Sequence, residues 1–309
     1  MGPCRFGVLA VSSVALAASM LVPVGAAAAA PKYPVIYSEA TLLAGALAPD
    51  SPPPGANLPG CRPSAAHPRP VVLVHGTFEN EDDNWGTLAP LLADNGYCVY
   101  TFNYGGPPLL GEVYGLGEIG ASAGQLSAFV DQVLAETGAT KVDLVGHSQG
   151  GMMPRYYLKF LGGAAKVENL IGLAPSNHGT TIDGLETLAS LLPGGSAALS
   201  GGLSTECESC AEQLAGSAFL TNLNSGGDTV HGVTYTVIES SYDEVVTPYT
   251  SAFLSGKHVT NILIQDQCAS DFSGHVGIAF DRVALTDVLN ALDPTHPKTA
   301  PCTLVPFEG

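Results

Sequence analysis

The stretch that most constrains this chain is Lys141–Pro154, KVDLVGHSQGGMMP. Val142, Leu144 and Val145 form a short apolar run of the kind that fills a strand buried on both faces, and Gly146-His147-Ser148-Gln149-Gly150 then turns the chain sharply. Met152, Met153, Tyr156, Tyr157 and Phe160 follow at helical spacing. A glycine-flanked serine also occurs in ordinary loops, but strand, G-x-S-x-G and helix in this order make a nucleophile elbow. The pattern places Ser148 at a strained turn with its hydroxyl projecting from the end of a sheet, while the small residues 146 and 150 let strand and helix approach closely.

The rest of the chain supplies a sheet for that strand. Val71–Val74 is a continuous apolar run between Pro70 and Gly76 and reads as a buried strand; Tyr97–Phe102, Val167–Leu173, Val233–Ile238 and Ile262–Ile264 have strand composition. Helical periodicity covers Trp85 to Leu92, Ile119 to Glu136 and Val276 to Leu292. Strands alternating with helices predict a mostly parallel doubly wound α/β sheet with helices on both faces. In such a sheet ligands bind beyond the carboxyl ends of the strands, so His75, Ser148, Ser176 to His178 and Asp243 should share one face. No internal repeat interrupts the pattern.

The N-terminus predicts export. Arg5 is followed by an apolar run to Val24 and an alanine tract before Pro31, which reads as a signal peptide over residues 1–30. A membrane anchor is the competing reading, and the small-residue sites just downstream favour cleavage, leaving a soluble enzyme with no integral membrane segment. Residues 31–69 are rich in Pro, Ala and Ser and read as an extended N-terminal arm. Residues 70–309 form the main domain. A net charge of -17 with only 11 Lys plus Arg argues against nucleic acid as a partner. Apart from Cys4, the six cysteines read as disulfides in an exported chain. Several pairings are open; coupling neighbours in the expected fold favours Cys61 with Cys98, Cys207 with Cys210, and Cys268 with Cys302. Cys207-Glu-Ser-Cys210 also has redox or zinc half-site spacing, but neither a thioredoxin-like context nor a second ligand pair accompanies it.

A serine hydroxyl needs a base to remove its proton and a carboxylate to hold that base in the right tautomer. In folds with this elbow the order is serine, acid, histidine. His275, between the last strand and the closing helix, is the candidate base, with His178 its rival. Asp243, after the penultimate strand, is the candidate acid, with Glu244 adjacent. The developing oxyanion needs donors from the residue after the nucleophile and from the loop after the first core strand, which are Gln149 and Thr77. The Thr77 hydroxyl is a possible further donor.

Val71 to Phe78 (VVLVHGTF), Asp83-Asn84-Trp85, Gly146 to Gly151 (GHSQGG), Pro175 to Thr180 (PSNHGT), Ser240 to Pro248 and Gly274-His275 together resemble secreted bacterial triacylglycerol lipases of the class 2 group in the α/β-hydrolase superfamily. The likeness extends from about Pro52 onward. The G-T and S-Q-G-G segments are also similar to the yeast lipase B type, with His75 in place of that type's proline. The resemblance implies carboxylester hydrolysis through an acyl-enzyme, with Ser148, Asp243 and His275 as triad and Thr77 and Gln149 at the oxyanion.

Residues 181–228 read as a lid-like insertion, with an acyl-pocket wall or an ordinary packed insertion as the alternatives. Ile182, Leu185, Leu188, Leu191 and Leu192 form an apolar helical stripe, followed by a Gly/Ser-rich hinge and a cysteine-bearing helix with Leu214, Phe219, Leu220 and Leu223. Phe78, His178, Leu185 and Leu188 are the candidate substrate contacts. The expected substrate is a neutral lipid or ester, met at an oil-water interface, and the expected state is a monomer. No acidic cluster or His/Asp set matches the calcium or zinc sites of larger lipases, so neither metal nor cofactor is expected. The alternatives are a short-chain or polyester-cleaving esterase and a catalytically inactive hydrolase-fold binding protein.

Overall fold

Alternating apolar residues give this sheet two inward faces. Val72, Val74, Leu144, Leu170, Tyr235 and Val237 belong to one apolar cluster, whereas Val71, Leu73, Val145, Ile171, Leu173 and Ile238 belong to a second. This division follows the period of two along a strand, and both faces are covered by helices. The computed structural model describes residues 1–2, 33–106, 113–199 and 207–306, with Tyr33 onward forming one compact unit. Most of the expected signal segment, Cys4, and positions 200–206 of the expected hinge lie outside the described residues.

Among the described residues six strands, β1 (Val71–Val74), β2 (Val99–Thr101), β3 (Val142–His147), β4 (Val167–Leu173), β5 (Thr234–Glu239) and β6 (Val259–Leu263), pair in the order β2-β1-β3-β4-β5-β6. Every pairing is parallel. Parallel neighbours require crossovers, which the helices provide. In chain order they are α1 (Ala40–Ala46), α2 (Leu88–Asp94), α3 (Ile119–Thr137), α4 (Gln149–Phe160), α5 (Ile182–Leu191), α6 (Gly195–Leu199), α7 (Glu208–Glu212), α8 (Ala218–Asn224), α9 (Ile264–Gln267) and α10 (Arg282–Leu292).

The first apolar cluster takes Leu126, Val130 and Val133 from α3 and Met152 and Met153 from α4. The second takes Leu88 and Leu92 from α2 and Val283, Leu285 and Val288 from α10. Burial of each such side chain contributes about 1.5–3 kcal/mol, so the central strands β1 and β3, buried at every position, anchor the sheet. Asp143 is a buried polar residue near the start of β3. Arg69 grips its carboxylate at 2.9 Å to both oxygens and Asn169 adds a bond of 2.7 Å, which offsets its loss of hydration.

Four local expectations change. The arm is not extended throughout: α1 forms within it, and Thr87 Oγ1 donates to the Ile36 carbonyl at 2.6 Å, tying the arm to the domain. Trp85 precedes α2 in a turn instead of opening the helix. The closing helix starts at Arg282, because Asp281 accepts from Ala284 N–H at 2.7 Å and caps it; Gly277–Ala279 before it is a single tight turn. The cysteine-bearing helix is two short ones, α7 and α8, the second begun by the Ser217 cap. Among the described residues no helix is long and apolar enough to cross a membrane.

The three cysteine pairs form as expected, Cys61–Cys98, Cys207–Cys210 and Cys268–Cys302. The first ties the arm to the residue before β2, and the third ties the loop after α9 to the C-terminal segment.

Candidate active site

The site is assembled at the carboxyl ends of β1, β3 and β5. At the end of β3 the chain turns through Ser148, whose φ of 54° and ψ of -123° lie in a region that non-glycine residues rarely adopt. Two glycines permit the turn. A Cβ on Gly146 would lie 1.8 Å from the Gly150 carbonyl oxygen, and one on Gly150 would lie 2.0 Å from that of Val74. Both collisions are with backbone, so no rotamer change relieves them. Gln149 is the first residue of α4, and its N–H is among the helix-start amides that lack an intrahelical acceptor. Its side chain is tied down through a 2.8 Å bond from Nε2 to the Gly115 carbonyl.

Beyond β5, Asp243 Oδ2 lies 2.8 Å from His275 Nδ1, and both side chains are fully buried. The other carboxylate oxygen, Oδ1, accepts from Val245 N–H at 2.8 Å and Val246 N–H at 2.7 Å. Two backbone donors therefore fix which oxygen faces the histidine. His275 Nε2, on the far side of the ring, is buried and has no hydrogen-bond partner among the described residues. The ring of His147, the residue before Ser148, is 5.0 Å from the His275 ring centroid to centroid, so the histidine loop packs on the strand that carries the serine. Glu244, the alternative acid, accepts from His275 N–H at 3.1 Å and supports the loop backbone. Glu239 ends β5; burial first, then the neighbouring Asp243 and Glu244 charges, pushes its carboxyl well above the usual range.

After β1, Thr77 is fully buried and its Oγ1 accepts from Gln213 Nε2 at 2.8 Å, while Gln213 Oε1 accepts from Ser176 Oγ at 2.9 Å. With its acceptor role filled by Gln213, the Thr77 hydroxyl keeps its proton for another partner. Gln213 follows α7, inside the expected insertion, and nothing in its spacing singled it out. Glu79, Asn84 and His147 form a second buried polar group that the sequence reading did not assign to the site.

The other predicted contacts separate. Phe78, at φ 66°, is buried in the same apolar cluster as Leu185 and Leu188. His178 has both ring nitrogens engaged, Nδ1 at 2.8 Å from the Ser251 carbonyl and Nε2 at 3.3 Å from Asp228. Asp228 is itself held by Ser255 and Arg155, so His178 belongs to that network. A cavity of about 480 Å³ opens beside the histidine loop, walled by Leu42 and Leu43 of α1, Leu191 and Leu192 at the end of α5, Glu244 and Val276. Among the described residues no group of three or more His, Cys, Asp or Glu is arranged to hold a metal ion.

A parallel sheet that presents a strained serine at a strand-to-helix turn, with an aspartate and a histidine after later strands, is the α/β-hydrolase architecture. The chain belongs to the family Lipase (class 2), whose model matches residues 68–286. It is 45% identical over 97 residues to a triacylglycerol lipase of Pseudarthrobacter phenanthrenivorans, a match that covers 30% of this chain and 28% of that protein. It is 28% identical over 203 residues to lipase B of Pseudozyma antarctica, covering 64% of this chain and 52% of that protein. The chain thus matches about half or less of the length of these relatives. Among solved structures, lipase B of Aspergillus fumigatus superposes with a TM-score of 0.60 at 22% identity, covering 83% of this chain and 58% of the other. The Bacillus licheniformis lipase BlEst2 in its propeptide form does so at 0.53 and 17%, covering 82% and 55%. At these identities the structural likeness establishes the fold.

Proposed function

We propose that this protein is an exported serine carboxylester hydrolase acting on triacylglycerols through an acyl-enzyme. The observation that carries the reading is the buried 2.8 Å bond between Asp243 and His275 Nδ1, which leaves Nε2, on the side of the ring away from the acid, with no partner among the described residues. Asp243 keeps the proton on Nδ1, so Nε2 is the lone-pair nitrogen that takes the Ser148 proton as Oγ attacks the ester carbonyl. The tetrahedral oxyanion is met by the Gln149 and Thr77 N–H groups and by the Thr77 hydroxyl. His275 then gives its proton to the leaving alcohol, and water repeats the sequence on the acyl-enzyme.

The family and its relatives favour a triacylglycerol substrate, and the leucine-walled cavity beside the histidine loop is suited to an acyl chain. Each buried CH₂ contributes about 0.8 kcal/mol, so chain length should matter while the chain still fits. A serine-reactive fluorophosphonate should label Ser148, and Ser148→Ala should lose labelling and ester turnover together while remaining folded. An acyl-length series of p-nitrophenyl esters beside a triacylglycerol emulsion then separates lipase from short-chain esterase. Retention of more than a tenth of activity in the alanine variant would overturn the assignment of the nucleophile.

A further inference from the structure

His147 is completely buried, and each of its ring nitrogens faces an acceptor. Nε2 lies 2.9 Å from the His275 carbonyl oxygen, which has no proton to give. Nδ1 lies 2.9 Å from Glu79 Oε2 and 3.1 Å from Asn84 Nδ2; the carboxylate is the nearer partner, and the amide donates to the other carboxylate oxygen, Oε1. That carboxylate is ringed by donors: Gly76 N–H reaches Oε2 at 2.9 Å and Asn84 Nδ2 reaches Oε1 at 2.9 Å. With donors already directed at both of its oxygens, the carboxylate is the acceptor toward Nδ1. A neutral imidazole can satisfy one of these two acceptors, whereas an imidazolium satisfies both.

We propose that His147 is a doubly protonated imidazolium clamped between Glu79 and the His275 carbonyl, and that this fixed cation is a positioning residue for the base. The inference rests on the reading of His275 as the base. It gives the pair two tasks. The hydrogen bond from Nε2 anchors the main chain of His275 to the end of β3, one residue before the nucleophile. The charge lies 5.0 Å from the His275 ring, centroid to centroid, within Coulombic reach of the base.

The surroundings agree. Burial lowers the affinity of His147 for a second proton, but the Glu79 charge and bond, the His275 carbonyl and the Asp243 charge raise it, and the net direction is upward. His75, stacked on Tyr104 at the end of β1, is lowered to about 4 chiefly by burial and stays neutral. Burial pushes the Tyr104 phenol and the Asp83 and Glu239 carboxyls well above their usual ranges. On the histidine loop side the charged groups are Asp243, paired with His275, and Glu244, bonded to its backbone. Glu79 is the anion in contact with His147.

The test uses the intact protein labelled with ¹⁵N-histidine. At pH 7 the His147 resonances should report protons on both ring nitrogens, and a single-proton pattern would overturn the proposal whatever the activity. Glu79→Gln, which preserves an acceptor for Gly76 N–H, should return His147 to one proton. It should also move the acid limb of the kcat/KM profile upward by about half a pH unit or more, the remainder of the cation's effect being offset by the opposing Glu79 charge. A profile superimposable on wild type would refute the electrostatic role. His147→Leu should lower kcat at least about tenfold with KM within about twofold, as expected when the base is misplaced and binding is not. If Ser148→Ala remains active, the triad reading fails independently of the histidine spectrum; if that variant is dead and His147 is neutral, only the clamp fails.

Discussion

Replacing Asp243 by asparagine tests the proposed machinery at one atom. The amide is nearly isosteric, so its orientation decides the outcome. Val245 N–H and Val246 N–H both point at the position of Oδ1, at 2.8 and 2.7 Å, and only a carbonyl oxygen can accept from them. The amide nitrogen must then occupy the Oδ2 position, 2.8 Å from His275 Nδ1. There it is a donor, and it forces Nδ1 to be the acceptor and Nε2 to carry the proton. A histidine in that tautomer cannot accept the Ser148 proton. The equivalent tautomer error in serine hydrolases costs about 10⁴-fold in kcat, or roughly 5 kcal/mol of transition-state stabilisation. We expect that loss in kcat with KM little changed, measured with a soluble p-nitrophenyl ester on protein whose circular dichroism matches wild type. Glu244→Gln is the control: its oxygen still accepts from His275 N–H, so activity should fall by less than about tenfold. A larger loss for Glu244→Gln than for Asp243→Asn, or more than a tenth of wild-type activity in the latter, would refute the reasoning.

Three further expectations follow from the same geometry. Gly150→Ala places a methyl 2.0 Å from the Val74 oxygen and 2.3 Å from that of His75, and should cost about 3 kcal/mol or more in urea unfolding; a change below about 1 kcal/mol would mean the elbow relaxes freely. Thr77→Val should slow turnover by less than the roughly 10²–10³-fold seen for a sole side-chain oxyanion donor, and Gln213→Leu should add nothing further in that background, because Gln213 acts through the threonine hydroxyl. Asp281, raised to about 7 mainly by burial, holds a proton in the folded chain that the unfolded chain has already released, so its contribution is full below about pH 4 and lost as pH rises through about 7. Asp281→Asn, which still caps α10, should flatten the fall of the urea midpoint between pH 4 and 7. His75 works in the opposite direction over that range but is common to both proteins, so it cancels in the comparison.

What was legible in the sequence was local. Val71–Val74 and the elbow announce themselves because strand burial and the serine turn are each written in fewer than ten consecutive residues, and the order of acid and base follows from the fold that the elbow implies. Glu79 and Gln213 were not legible, since the first meets His147 across 68 positions and the second meets Thr77 across 136. No spacing rule connects such pairs; only the sheet order does. Helix ends failed for a different reason. Val276 and Ile278 fit the apolar pattern of α10, but Asp281 offers the α10 start a capping oxygen, and the chain uses it there. The helix α1 was hidden by the prolines around it, although Ala40–Ala46 itself contains none.

Gln213 has a consequence for anyone remodelling this protein. It is contributed by the segment between β4 and β5, yet it sets the hydroxyl on the loop after β1. Grafting that segment from another hydrolase to change acyl selectivity would therefore also exchange a part of the proposed oxyanion site. A chimera with a well-shaped cleft but no amide at this position would bind its new substrate and turn it over slowly, and restoring the one glutamine would be the first repair to make.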